Sequence, residues 1–132
     1  MVRVLLAVMH PLLRAALVEY LGAGDLLCDE AASPAELWDR LQLGIWDVLI
    51  LDLHLPQHNK LQTLQVVYQH YPTLPILTMS FADDIPVHRW RDAGASAFVS
   101  KTKLGEKLLD AVRVLSQGGT YFATGDVTEK TP

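Results

Sequence analysis

The chain has 132 residues, of which 50% are apolar and 20% are charged, and its formal net charge is -4. This length and composition predict one globular domain with one hydrophobic core and exclude a disordered chain. The negative charge offers no electrostatic footprint for nucleic acid over the chain as a whole, so any contact with DNA would have to come from elsewhere.

The cysteine content and the amino-terminal run bear on the cellular compartment. Cys28 is the only cysteine, which excludes an internal disulfide and favours a reducing, cytoplasmic compartment. Because it follows two leucines, we expect a buried, unreactive thiol. The apolar run over residues 2–9 is too short to span a bilayer, so it predicts a buried first strand and no membrane association.

A helix, a strand and a second helix are predicted next. Pro11 begins a helix with an apolar stripe that ends at a glycine-rich turn. Residues 26–30 predict a short strand. Ser33, Pro34 and Glu36 then match a capping box with proline in the first helical position, which predicts the start of the second helix.

The third strand is the most informative stretch of the sequence. Four apolar residues, 48–51, lie between Asp47 and Asp52, as in a central parallel strand that is covered on both faces, and Pro56 prevents the strand from continuing. Asp52 therefore lies at the carboxyl end of this strand. In an open α/β sheet this is the edge where ligands bind, so Asp52 is the best candidate for a reactive group.

The rest of the chain continues the alternation of helices and strands. Helices are predicted over residues 60–71, from a cap at Asp83 or Asp84 to residue 93, and over residues 104–116, and strands over residues 74–80 and 97–99. Five alternating strand and helix units predict an α/β fold, a five-stranded parallel sheet with helices on both faces. We assign residues 1–117 to this domain and residues 118–132 to a tail or linker.

Four of the predicted strands end in a polar residue. His10, Asp52, Ser80 and Lys101 follow the first, third, fourth and fifth strands. The carboxyl ends of parallel strands meet at one edge, so a carboxylate, a hydroxyl and an ammonium group should lie close together there.

This pattern resembles the receiver domain of bacterial two-component response regulators over nearly the whole chain. The segments that carry the resemblance are residues 47–56, 75–80 and 93–101. The resemblance implies a flavodoxin-like, three-layer αβα fold. It also implies that Asp52 is the phosphoacceptor position, that Ser80 and Lys101 are the phosphate-pocket positions, and that Phe98 is the switch aromatic.

A finer resemblance is to the regulators that carry a carboxyl-terminal helix-turn-helix of the LuxR type. Residues 10–14 and 118–122 look like that subclass, and Thr131 and Pro132 resemble the start of its DNA-binding module. The resemblance implies a transcription-regulating protein that contacts DNA only through that further domain. It also implies a histidine kinase or another regulatory protein as a partner, and pairing of two copies through the first and last helices or through the face of the fourth and fifth helices.

The sequence departs from the receiver pattern at the end of the first strand. Receivers place two adjacent acids there, and their carboxylates hold the Mg²⁺ that phosphoryl transfer requires. Here these positions are Val8 and Met9, and neither side chain can bind a hard cation. We therefore expect no metal or other cofactor and a phosphorylation that is lost or marginal. Receivers also usually have a glycine in the loop after the phosphoacceptor, and Lys60 stands at that position here. This difference predicts a remodelled loop over residues 57–60.

Each candidate also has a plainer interpretation. Asp52 could be a structural carboxylate paired with Lys101, Ser80 could cap the following loop, and Phe98 could be an ordinary core residue. Met9 could extend the core with Val8 or line a hydrophobic ligand site.

Two further groups of side chains have competing interpretations as well. His10, His54 and His58 could suggest a transition-metal site, but their spacing favours solvated histidines. Trp90 is flanked by two arginines, so it could anchor a partner instead of packing in the core.

Three functions follow from these alternatives. The first is a non-enzymatic regulatory domain that works by dimerisation or partner docking, its state set by a partner, by protein level or by a small ligand. The second is a conventional phospho-switch that accepts phosphate on Asp52. The third is a hydrolase of the dehalogenase type with Asp52 as nucleophile, which is disfavoured because His54 stands where that family needs a second acid.

Overall fold

The computed structural model describes residues 1–52, 59–80, 85–124 and 127–128 of the chain. The strands among these residues are β1 Arg3–Val8, β2 Leu27–Ala31, β3 Val48–Asp52, β4 Ile76–Ser80, β5 Ala97–Ser100, β6 Tyr121–Thr124 and β7 Val127–Thr128. The helices are α1 Pro11–Ala23, α2 Pro34–Leu41, α3 Lys60–His70, α4 Val87–Asp92 and α5 Leu104–Ser116, and a 3-10 turn, Lys101–Lys103, precedes α5.

The strands form one sheet in the order β2-β1-β3-β4-β5-β6-β7. The pairs from β2 to β6 are parallel, and β7 runs antiparallel to β6. The predicted α/β fold with a parallel sheet is therefore confirmed. Strands β6 and β7 add to the five predicted strands and lie in the segment assigned to a tail or linker, and the boundary after residue 117 stays a prediction.

Two hydrophobic clusters cover the two faces of the sheet and account for the three layers. In β1, Val4, Leu6 and Val8 belong to a first cluster with residues of α1 and α5, while Leu5 and Ala7 belong to a second cluster with residues of α2, α3 and α4. This alternation follows the two-residue period of a strand. It explains why β1 and β3 are apolar at nearly every position.

The helix ends follow the sequence signals with one correction. The Ser33 hydroxyl accepts a hydrogen bond from the Glu36 N–H at 3.2 Å, so the predicted cap of α2 is confirmed. The predicted start of α4 near residue 83 is wrong, because the helix begins at Val87 after Pro86, which holds an extended conformation. A residue that precedes proline is also disfavoured in helical geometry. Asp83 and Asp84, the predicted caps, and Pro56 lie outside the described residues.

Helix α4 ends at a sharp turn that only glycine fits. Gly94 has φ of +118°, and a Cβ atom there would lie 2.5 Å from the ring of Tyr68 on α3. The turn directs the chain into β5 and therefore positions Phe98 and Lys101. Over the part of the chain that the structure describes, none of the helices is both long and apolar enough to cross a membrane.

Candidate functional site

The carboxyl edge of the sheet brings together the polar residues that end the central strands. Asp52 and Ser80 are the last residues of β3 and β4, and Lys101 directly follows β5. Val8 is the Cα partner of Asp52 in the pairing of β1 with β3. The edge therefore places Val8, Asp52, Ser80 and Lys101 together as the strand order predicts, and their functional roles stay predictions.

Asp52 and Lys101 are in direct contact. Lys101 Nζ lies 2.6 Å from Asp52 Oδ2, and the two side chains are 8% and 1% exposed, respectively. Burial out of water weakens the screening between opposite charges, so their attraction is stronger here than at the surface. Asp52 Oδ1 has no hydrogen-bond partner within the described ranges. The structure thus contains the ion pair of the plainer interpretation.

A small pocket adjoins Asp52 on the side of α4. The described residues that line it with Asp52 are Leu51, Lys60, Thr78, Met79 and Trp90. Trp90 is 3% exposed, and its ring stacks on that of Phe98 with centroids 6.0 Å apart. The indole Nε1 of Trp90 is buried without a hydrogen-bond partner in the described part of the chain.

Trp90 packs in the core, as the plainer interpretation of this residue expects. The idea that it anchors a partner at the surface is wrong, because the side chain is buried against Phe98. The arginines on both sides suggested exposure. The spacing of Val87, Trp90 and Ala93 was the informative signal, because residues three apart share one face of a helix.

Phe98 lies in the core, as the plainer interpretation expects. The side chain is 1% exposed, and its Cα pairs with Thr78 on one side and Phe122 on the other. Its role as a switch aromatic stays a prediction. Ser80 is 3% exposed, so it is also enclosed at this edge.

Val8 and Met9 give the end of β1 an apolar character. Val8 is fully buried in the first cluster, and Met9 is partly buried against the second. The Met9 N–H donates to the Asp52 carbonyl oxygen at 3.3 Å. Arg14 on α1 donates from Nη1 to the Val8 carbonyl oxygen at 2.9 Å and pairs with Glu30 at 3.1 Å. A cationic side chain therefore contacts the end of β1.

These residues do not fit a magnesium ion. Mg²⁺ requires oxygen ligands in near-octahedral geometry, whereas Val8 and Met9 offer none from their side chains and one oxygen of Asp52 contacts the Lys101 ammonium. Among the described residues, no three His, Cys, Asp or Glu side chains lie close enough to hold a metal ion.

The histidines near this edge have no shared site in the described structure. The Nδ1 atom of His10 accepts a hydrogen bond from the Leu13 N–H at 3.2 Å, so His10 caps α1. His54 and His58 lie outside the described residues, as do all but Asn59 and Lys60 of the predicted loop over residues 57–60. Asn59 caps α3 by accepting from the Gln62 N–H at 3.1 Å.

Away from this edge, Cys28 is half-buried on β2. Burial, followed by the charges of Asp29 and Glu30, raises the pKa of its thiol to about 11. The thiolate is the nucleophilic form, so a raised pKa makes this cysteine unreactive near neutral pH. The unreactive thiol agrees with the prediction, whereas the predicted full burial is wrong, because Cys28 is only half-buried on β2.

Comparison with known proteins identifies the family. A family model described as the response regulator receiver domain matches residues 4–113. The chain belongs to this family. The resemblance that the motifs implied is therefore confirmed, and the role of Asp52 as the phosphoacceptor position stays a prediction.

Relatives of this receiver domain are transcription regulators. It is 33% identical to the transcriptional activator protein ExaE of Pseudomonas putida over 86% of this chain and 54% of the relative. It is 34% identical to the DNA-binding transcriptional activator DevR/DosR of Mycobacterium tuberculosis over 89% of this chain and 56% of the relative. The chain thus spans about half the length of these curated relatives.

Solved structures of response regulators share the fold of this receiver domain. RcsB of Salmonella typhimurium superposes with a TM-score of 0.84 at 19% identity, covering 95% of this chain and 66% of that chain. A LuxR family DNA-binding response regulator from Silicibacter pomeroyi superposes with a TM-score of 0.78 at 20% identity, covering 94% and 98%. Since these identities are low, the likeness concerns the fold alone.

Proposed function

We propose that this receiver domain regulates without being phosphorylated, as a non-enzymatic cytoplasmic domain whose state is set by contacts with other proteins. The proposal is supported by the side chains that surround Asp52 at the carboxyl edge of the sheet. Val8 ends β1 beside Asp52, Met9 follows it, and Lys101 pairs directly with the Asp52 carboxylate. The phosphoacceptor position is thus retained while the place for a metal is apolar.

The loss of the metal has a large kinetic consequence. Phosphoryl transfer depends on neutralising charge on the moving group, and a bound metal contributes several kcal/mol to that stabilisation. Because each 1.36 kcal/mol is a factor of ten in rate, losing about 3 kcal/mol slows the reaction roughly 100-fold. Lys101 neutralises the Asp52 carboxylate in the resting protein, so the fold does not need a cation for charge balance.

We further propose that the domain controls an attached DNA-binding domain. The relatives carry the words transcriptional activator or DNA-binding in their names, and this chain spans about half of their length. The receiver domain itself has a negative net charge, which is unfavourable for contacts with phosphate. We therefore assign contact with DNA to the attached DNA-binding domain and not to the receiver domain.

A second copy of the chain is the partner that the surface of α1 favours. Apart from Pro11, the exposed residues of this helix are Leu12, Ala15, Ala16, Glu19, Gly22 and Ala23. Leu12 is 79% exposed, and most of this face is small and uncharged. At the edge next to α4, β6 already pairs with β5. We therefore assign dimerisation to α1 and not to the edge next to α4.

Intact mass spectrometry after incubation with Mg²⁺ and acetyl phosphate tests the proposal. We expect the wild-type chain to keep its unmodified mass, as Asp52→Ala does, while a phosphorylatable receiver domain in the same buffer gains one phosphate. A stoichiometric adduct on the wild type that Asp52→Ala abolishes would instead support the alternative function, a conventional phospho-switch served by a histidine kinase.

A further inference from the structure

Strand β6 extends the sheet beyond β5 and is held from both faces. Its backbone pairs with β5 in the register Ala97–Tyr121, Phe98–Phe122 and Val99–Ala123. Tyr121 packs against the first hydrophobic cluster, and Phe122 packs against the second, on the face that carries α4. The strand has only four residues, so these side-chain contacts matter for its attachment.

Helix α4 contacts the rings of two neighbouring strands through consecutive residues. The Arg91 guanidinium lies over the ring of Phe122 on β6, 5.5 Å from its centroid. Trp90 stacks on Phe98 of β5 and lines the pocket beside Asp52. Consecutive residues on a helix are about 100° apart, so one short helix can touch the pocket with one side chain and β6 with the next.

Helix α4 is short and lacks a side-chain cap at its amino terminus. The helix has six residues, and its N-cap residue, Pro86, makes no side-chain cap hydrogen bond. A helix this short has little stability of its own and depends on packing. Its position is therefore determined by Trp90 on the core side and by the contacts of Arg91.

We propose that α4 couples the pocket beside Asp52 to the attachment of β6. A change in the pocket that shifts Trp90 must also shift Arg91, because the two residues are adjacent on one helix. Arg91 then leaves the ring of Phe122, and β6 separates more often from the edge of β5. This coupling goes beyond the proposed function, since it holds whether or not Asp52 accepts phosphate.

The consequence is a sheet edge that can open. When β6 separates, β5 exposes unpaired N–H and C=O groups, which can pair with another strand. The pocket beside Asp52 thereby acts on the pairing at the β5 edge of the sheet.

Hydrogen exchange of the 132-residue chain, measured for the backbone amides of β6 and of β1 and β3, tests the output side of the coupling. Arg91→Ala removes a cation–π contact of roughly 0.5–1 kcal/mol, so exchange in β6 should increase about two- to fivefold. Exchange in β1 and β3 should not change. The matched control is Arg89→Ala, which removes an exposed arginine from the same helix and should leave β6 unchanged.

Variants of Trp90 test the pocket side of the coupling. Trp90→Leu removes the α4 ring that stacks on Phe98 of β5. Hydrogen exchange in β6 should then rise at least twofold, while the amides of β1 and β3 stay protected. Trp90→Phe keeps a ring, folds more readily and should give a smaller rise in the same direction. The proposal is overturned if both variants leave β6 unchanged, or if exchange rises equally in β1, β3 and β6, because that result indicates global destabilisation.

Discussion

Asp52 and Lys101 form a buried ion pair across the carboxyl edge of the sheet, with Nζ 2.6 Å from Oδ2. The pair joins the end of β3 to the turn that follows β5, two strands away in the sheet order. Lys101 therefore supplies a counter-charge to Asp52 from within the chain, while Asp52 Oδ1 has no hydrogen-bond partner among the described residues.

Removing one partner of this pair should be costly. Lys101→Met leaves the Asp52 carboxylate buried without a counter-charge, and we expect the free energy of unfolding to fall by about 3–5 kcal/mol. Urea unfolding at pH 7 measures the change. The double variant Asp52→Asn with Lys101→Met removes both charges and should recover most of the loss. If the two single effects simply add in the double variant, the ion pair is not coupled in solution.

Placing two acids at the end of β1 should restore Mg²⁺-dependent phosphorylation. The double variant Val8→Asp with Met9→Asp supplies two carboxylates beside Asp52, so we expect Mg²⁺-dependent phosphorylation by acetyl phosphate to become about 100-fold faster than in wild type, or ~3 kcal/mol in the barrier. The control, Val8→Asn with Met9→Asn, has the same shape without the charges. A folded Asp variant that stays unmodified would show that something other than the missing acids blocks the reaction.

The central sheet could be predicted because its signals are local. The apolar runs of β1 and β3 are buried on both faces, and the proline and charged residues at their ends mark where the strands stop. The same runs place Asp52 at the edge, and the order of the strands brings Lys101 to it. The plainer interpretation of Asp52 as a paired carboxylate came from these positions.

Other features depend on contacts that sequence patterns do not record. Strand β6 has only four residues, and its place in the sheet comes from pairing with β5 and packing on both faces. Trp90 lies between two arginines in a six-residue helix, so its burial depends on how α4 rests on Phe98. Such tertiary contacts override local composition.

The thiol of Cys28 gives a prediction about pH. Its pKa of about 11 compares with an ordinary value of 9.0, because the half-buried side chain is desolvated and lies near Asp29 and Glu30. At pH 8 the thiolate fraction, and so the alkylation rate with iodoacetamide, should be about 100-fold below that of an exposed cysteine. The rate in 6 M urea is the control and should match free cysteine.

The same shift has a defined sign for stability. The folded protein keeps the Cys28 proton to a higher pH than the unfolded chain does, so unfolding releases a proton between pH 9 and pH 11. The contribution of this group is therefore fully present below pH 9 and is lost as the pH rises toward 11. Cys28→Ser should flatten the fall in unfolding free energy over that interval. An unchanged slope would contradict the assigned pKa.

The exposed face of α1 gives a prediction about assembly. Leu12 is 79% exposed on this helix, and we expect a second copy to cover it. Leu12→Asp would bury a charge in that interface, so the dimerisation constant measured by sedimentation equilibrium should weaken at least tenfold. The matched control is Leu43→Asp, since Leu43 is 60% exposed but lies in the turn between α2 and β3. Equal effects of the two substitutions, or none from Leu12→Asp, would place the contact elsewhere on the domain.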